Sequence, residues 1–152
     1  MIPLIDLTSS KKVEREIKKA INSVINSKTY VLGPKLESFE RQFAKYIGVK
    51  YAVGVGSGTD ALFLALKSLG IGNGDRVLTV SLTSPFTAIA ILQAGAIPVF
   101  CDVDDKTWTI NVNDAENKVD SKTKAIVPVH LFGNPCDIDK IKNFAKKYNQ
   151  GY

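Results

Sequence analysis

Gly54-Val55-Gly56-Ser57-Gly58-Thr59-Asp60-Ala61-Leu62 stands between two apolar runs, residues 51–55 before it and 61–69 after it. It reads as a strand, a glycine-rich turn and the first turn of a helix. Three glycines in five positions open dihedrals closed to other residues and let a ligand approach the backbone. The N–H groups of Gly58, Thr59 and Asp60 are expected to point outward, with the positive end of the helix dipole behind them. That arrangement holds a phosphate without a dedicated cation. Two nucleotide-binding patterns fit worse: G-x-G-x-x-G fails at Thr59, and no Gly-Lys-Ser/Thr completes a P-loop. A plain tight strand-to-helix turn is the bland alternative.

Outward from this loop, strand and helix patterns alternate. Helical spacing of Val13, Ile17, Ala20, Ile21, Val24 and Ile25 predicts a helix ending near Ser27, with Thr8, Ser9 or Ser10 as its cap. Pro34 suits the first position of a second helix, whose stripe of Leu36, Phe39, Phe43 and Ile47 is expected to be buried and which Gly48 ends. The helix behind the glycine loop is apolar all round, so it is expected to be enclosed on most sides. Residues 51–55, 76–80, 97–101 and 125–129 read as four strands, and residues 108–112 as extended chain. A helix from Pro85 to Ala94, capped by Thr83 or Ser84, and further helices over 113–119 and 137–148 lie between or after them.

This alternation predicts an α/β fold over residues 1–152: three layers, with a mostly parallel sheet flanked by helices. Ligands collect at the carboxyl ends of such strands, where the glycine loop, residues 81–84, Asp102–Asp105 and His130 all fall. The aspartates lack the glycine and distal glutamate of a calcium loop, so no metal site is expected.

Ser57-Gly58-Thr59-Asp60-Ala61-Leu62 resembles the cofactor-phosphate loop of the DegT/DnrJ/StrS sugar aminotransferases, pyridoxal-phosphate enzymes of the type I aminotransferase fold. Tyr30-Val31-Leu32-Gly33-Pro34, Phe43-Ala44-Lys45-Tyr46-Ile47-Gly48-Val49, Ala94-Gly95-Ala96-Ile97-Pro98-Val99-Phe100 with Asp102-Val103-Asp104, and Pro128-Val129-His130-Leu131-Phe132-Gly133 resemble the same family in the same order. The resemblance implies the N-terminal half of the large domain and a pyridoxal 5'-phosphate cofactor. It also implies a nucleotide-linked keto sugar and an amino donor such as glutamate as substrates, and a homodimer whose sites draw on both subunits.

Carried onto this sequence, it implies that Gly58, Thr59 and Asp60 hold the cofactor phosphate. The family's ring-stacking aromatic falls at Ser84, with Phe86 two residues later; Phe86 either reaches the ring from the helix or belongs to the core. His130 follows a strongly apolar strand and is either structural or part of the substrate pocket. The lysine that forms the Schiff base and the aspartate that binds the pyridine nitrogen are expected beyond Tyr152, so no catalytic residue is assigned here. Lys67, Lys106 and Lys124 read as ordinary solvated lysines.

Of the composition, 45% is hydrophobic and 23% charged, with a net charge of +5 at pH 7. These values exclude a disordered or fibrous chain. The lysines crowd residues 11–19 and 140–147, with Phe144 the one aromatic among them and no nucleic-acid motif beside them, which reads as solvated helix faces and not as a nucleic-acid surface. Cys101 and Cys136 are the only cysteines, and no apolar run approaches the ~20 residues of a membrane span. A cytoplasmic protein is the expectation. Two other classes stand beside the enzyme reading: a catalytically inactive remnant or phosphate-binding module that associates with an intact homologue, and an unrelated nucleotide-binding domain.

Overall fold

The computed structural model describes residues 10–148, which fall into two compact units, residues 10–54 and 55–148. In the first, α1 (Lys11–Ser27) starts where the Ser10 side chain accepts the Val13 N–H, and ends where Lys28 turns left-handed at φ 54°. Helix α2 (Pro34–Ile47) has Pro34 in its first turn and stops at Gly48, φ 80°, whose N–H reaches the Ala44 carbonyl. Phe39 and Phe43 stack with ring centroids 5.5 Å apart. The Gly54 N–H donates to Glu40 Oε1 at 2.7 Å, and a Cβ on Gly54 would lie 2.5 Å from Leu36 Cδ1, so a larger residue there would push the end of the Leu36 side chain aside.

Two expectations about this unit fail. The stripe of α2 is not buried: Phe39, Phe43 and Ile47 are exposed and Leu36 is half-buried; on α1, Val13, Ile17, Ile21 and Ile25 are exposed as well, and Ala44 is the unit's only buried residue among those described. Helical spacing tells which side is apolar, not what covers it. Nor do residues 51–55 form a strand; they have no ladder partner among the described residues.

The second unit contains α3 (Gly58–Ser68), β1 (Arg76–Val80), α4 (Phe86–Gln93), β2 (Ile97–Cys101), α5 (Val112–Lys118), β3 (Thr123–Ile126) and α6 (Ile138–Lys147). All three strands are parallel in the order β2-β1-β3. The central strand β1 is buried from Val77 to Val80, as expected of a strand covered on both faces, and its one polar buried side chain, Thr79, is hydrogen-bonded to the Val127 carbonyl. The step from β1 to β2 and the return past β1 to β3 run in opposite directions. Right-handed crossovers therefore place α4 and α5 on opposite faces. On one face Leu66, Ile71, Val77, Ile91, Ala94 and Ala96 pack together; on the other Leu78, Val80, Cys101, Ile110, Ile126, Ile141 and Phe144 do so.

Strands β1 and β2 coincide with the expected residues, and β3 lies two residues before its expected start, with Val127 still donating to the Leu78 carbonyl. Residues 108–112 are not continuously extended. Trp108 has φ 59°, only Ile110 bridges, to Val103, and α5 has already begun at Val112. Neither Thr83 nor Ser84 caps α4: Pro85 occupies the cap position and makes no side-chain cap bond. Helix α3 is not enclosed either. Leu66 is its one buried residue, while Leu64 is 47% exposed. A helix apolar all round needs covering on several sides, and α4 covers one.

Candidate functional site

The site begins with Ser57, which sequence reading left among the motif residues without a role. Its Oγ accepts the Asp60 N–H at 3.1 Å and its hydroxyl donates to Asp60 Oδ2 at 2.9 Å. This reciprocal cap explains why α3 starts at Gly58. The legible signal was serine followed three residues later by an acid. The cap also corrects the expectation of three free amides, because the Asp60 N–H is spent on Ser57. Gly58 and Thr59 keep theirs: no acceptor meets either N–H among the described residues.

The loop's glycines differ in purpose. A Cβ on Gly56 would come within 2.9 Å of Asp60 Oδ2, so Gly56 makes room for the cap. A Cβ on Gly58 would meet nothing within 4 Å. Its lack of a side chain serves no internal packing and leaves the backbone at the head of the 11-residue helix open to an incoming group.

Helix α3 packs along α4, and Lys67 Nζ, near the end of α3, donates to the Ala94 carbonyl at 3.5 Å, at the end of α4. The two helices thus run in the same sense, and their first turns share the side on which β1 ends. Ser84 and Phe86 lie at that end as well. Ser84 is exposed in the loop after β1, and Phe86, the first residue of α4, is 57% exposed, so it is not core in this chain.

His130 follows β3, which pairs directly with β1. The two strand ends are held together beyond the ladder by Val127 N–H to the Leu78 carbonyl at 2.8 Å and Thr79 Oγ1 to the Val127 carbonyl at 3.0 Å. His130 is exposed, and its Nδ1 accepts the Cys136 N–H at 2.9 Å. The Cys136 Sγ donates to the Val129 carbonyl at 3.1 Å. Cys136 was not legible as a partner of His130, since five residues separate them and no motif links them. The structure therefore brings Gly58, Thr59, Ser84, Phe86 and His130 to the carboxyl-end rim of one parallel sheet.

Asp104 does not join them. Its carboxylate accepts the N–H groups of Thr107 and Lys106, which hold it below the usual carboxylate range, and the loop consumes it. Among the described residues, no group of three His, Cys, Asp or Glu side chains is placed to hold a metal ion. Lys67 sits at the far end of α3, bonded to the Ile71 and Ala94 carbonyls, and is not available at the rim. No described helix is long and apolar enough to cross a membrane.

Residues 11–150 match the DegT/DnrJ/EryC1/StrS aminotransferase family. The chain is 43% identical over 150 residues to a dTDP-3-amino-3,6-dideoxy-alpha-D-galactopyranose transaminase of Aneurinibacillus thermoaerophilus, covering 98% of this chain and 41% of that one. It is 49% identical over 116 residues to the spore coat polysaccharide biosynthesis protein SpsC of Bacillus subtilis, covering 76% of this chain and 30% of that one. Among solved structures it resembles a DegT DnrJ EryC1 StrS aminotransferase from Brucella abortus, with a TM-score of 0.90 and 33% identity over 99% of this chain and 42% of that one. It also resembles NtdA of Bacillus subtilis with the cofactor PMP bound, with a TM-score of 0.90 and 30% identity over 93% of this chain and 32% of that one. The chain spans about two fifths or less of the length of each of these relatives.

Proposed function

The chain belongs to the DegT/DnrJ/EryC1/StrS aminotransferase family, and from that premise we propose that it forms the front part of the large domain of a nucleotide-sugar aminotransferase. In this reading pyridoxal 5'-phosphate is the cofactor, a keto sugar linked to a nucleotide accepts the amino group, and an amino acid such as glutamate donates it. The relatives' names support the substrate class: one is a transaminase of a dTDP-linked sugar, another belongs to spore coat polysaccharide biosynthesis.

The observation that carries the reading is the head of α3. Gly58 and Thr59 offer two unused amides at a helix N-terminus, in a loop where Gly58 has open space around it. These residues would hold the cofactor phosphate, with the Thr59 hydroxyl as a third donor and Ser57 keeping the turn in shape through Asp60. Phe86 would offer its face to the cofactor ring, with Ser84 beside it, and His130 would meet the substrate.

Once bound, the cofactor supplies an electron sink for proton movement at the carbon that carries nitrogen. The chain's own contribution is to bind and orient. The residues that form the covalent link and bind the ring nitrogen are assigned to the part of the enzyme that follows Tyr152, and a homodimer is proposed for the whole. Its placement in the cytoplasm belongs to the same proposal.

The test is equilibrium binding of pyridoxal 5'-phosphate to the protein, followed by ultraviolet-visible absorbance, with inorganic phosphate as competitor. Saturable binding that phosphate competes away supports the reading. Absence of binding by the complete protein, including everything encoded in frame after Tyr152, overturns it.

A further inference from the structure

His130 is attached to its own loop through one ring nitrogen only. Nδ1 accepts the Cys136 N–H at 2.9 Å, so Nδ1 must present a lone pair and the neutral ring carries its proton on Nε2. The donor is well anchored. Cys136 is 4% exposed and its Sγ donates to the Val129 carbonyl, so one residue closes the 130–136 loop from both its backbone and its side chain. Nε2 meets no acceptor among the described residues, and His130 is exposed beyond the carboxyl end of β3.

We propose that Cys136 is a positioning residue that locks His130 in its Nε2–H tautomer, and that His130 contributes a hydrogen-bond donor to an oxygen of the nucleotide sugar and is not a proton-accepting base. The tautomer follows from the loop geometry alone, whereas the occupant rests on the functional reading above. A base would need a free lone pair aimed at the ligand, and the ring's one lone pair is spent on the Cys136 amide. A neutral Nε2–H can bind a carbonyl, hydroxyl or phosphate oxygen without adding charge to the rim.

His130 is the only histidine of the 152-residue sequence, so protein labelled with ¹⁵N-histidine and ¹⁵N-cysteine gives one assignable pair of ring nitrogens. Multiple-bond proton–nitrogen correlation at neutral pH should show a pyridine-type Nδ1 and a pyrrole-type Nε2. A nitrogen–nitrogen coupling should also cross the hydrogen bond to the Cys136 amide. A proton on Nδ1, two averaged nitrogens or no coupling overturns the lock.

The donor is tested by titration with dTDP-glucose. His130→Asn keeps an oxygen for the Cys136 N–H and loses the Nε2 donor; it should keep the melting temperature and lose about tenfold in affinity, the scale of one hydrogen bond. His130→Gln restores a donor near the Nε2 position and should lose no more than about threefold on the same scale. Equal binding by His130→Asn and the parent protein overturns the donor role while leaving the aminotransferase reading intact. If the complete protein, including everything encoded in frame after Tyr152, binds neither dTDP-glucose nor pyridoxal 5'-phosphate, the aminotransferase reading fails together with the donor role, and the lock is judged on the nitrogen spectrum.

Discussion

Lys67 Nζ donates to the Ile71 carbonyl at 3.2 Å and to the Ala94 carbonyl at 3.5 Å, joining the C-terminal ends of α3 and α4. A cation at the ends of two helices meets the negative ends of both dipoles and satisfies carbonyls that helix ends leave unpaired. It also ties the end of α3 to the end of α4. Lys67→Met keeps the aliphatic stem and removes the donors. It should destabilise the fold by about 1 kcal/mol, the net worth of such bonds at a partly exposed site. A urea titration with unchanged slope and lower midpoint would show this, and an unchanged midpoint would contradict it.

Gly56 and Gly58 should respond oppositely to alanine. At Gly56 the new Cβ meets Asp60 Oδ2 at 2.9 Å and displaces the Ser57–Asp60 cap, so Gly56→Ala should cost about 1 kcal/mol, as other lost caps do. At Gly58 the new methyl has open space, so Gly58→Ala should leave the melting temperature unchanged or slightly raised. On the proposed function it obstructs the approach to the helix head and should weaken pyridoxal phosphate binding about tenfold, the scale of one hydrogen bond. Thermal melts and cofactor titrations on the two variants separate packing from binding.

Cys101 should be chemically silent in the folded protein. Burial first, and the Asp114 carboxylate second, push its thiol up to about 11. A group whose folded value is raised favours folding while it stays protonated. Its contribution is therefore full below the unfolded value of 9.0 and is lost as pH rises through about 11. Denaturation midpoints should fall over that window, and Cys101→Ser should flatten the fall. Labelling by a thiol reagent at pH 8 should require unfolding, and rapid native labelling at Cys101 would contradict the buried placement.

Asp114 supplies the acid counterpart. The Lys118 ammonium, at 2.7 Å, and then the Asp102 N–H hold its carboxylate below the usual range. A depressed folded value means stability that is present above the ordinary carboxylate range and is lost as pH falls through the folded value. Asp114→Asn should therefore unfold less steeply with acid below about pH 4 than the parent chain, given ordinary aspartate titration near that value. Melting temperatures between pH 2 and pH 6 decide it: parallel curves would mean that the Asp114–Lys118 pair adds nothing.

The glycine loop shows how far local chemistry can be read without coordinates. Ser57, Gly58 and Asp60 encode a turn and a capped helix within a few residues, and β1 and β2 appear at the expected positions because each is a short run rich in apolar and β-branched residues bounded by turn residues, although only the central β1 is buried along most of its length. What went astray depended on partners distant in the chain. Residues 51–55 have strand composition but no ladder partner among the described residues, and α1, α2 and α3 carry apolar surface that nothing described here fully covers. Trp108 at φ 59° interrupts a stretch whose composition reads as extended.

The site divides in the same way. By itself the sequence determined that a glycine-rich turn opens a helix, that strands and helices alternate, and that the family's motifs occur in order, because each depends on residues close together in the chain. Only the tertiary structure decided that the Asp60 amide is consumed by Ser57, that Phe86 is exposed, that Lys67 is held at the far end of α3, and that Cys136 selects the tautomer of His130. Hydrogen-bond partners and burial are set by which groups folding brings within about 3 Å of one another, a distance that spacing along the chain does not encode.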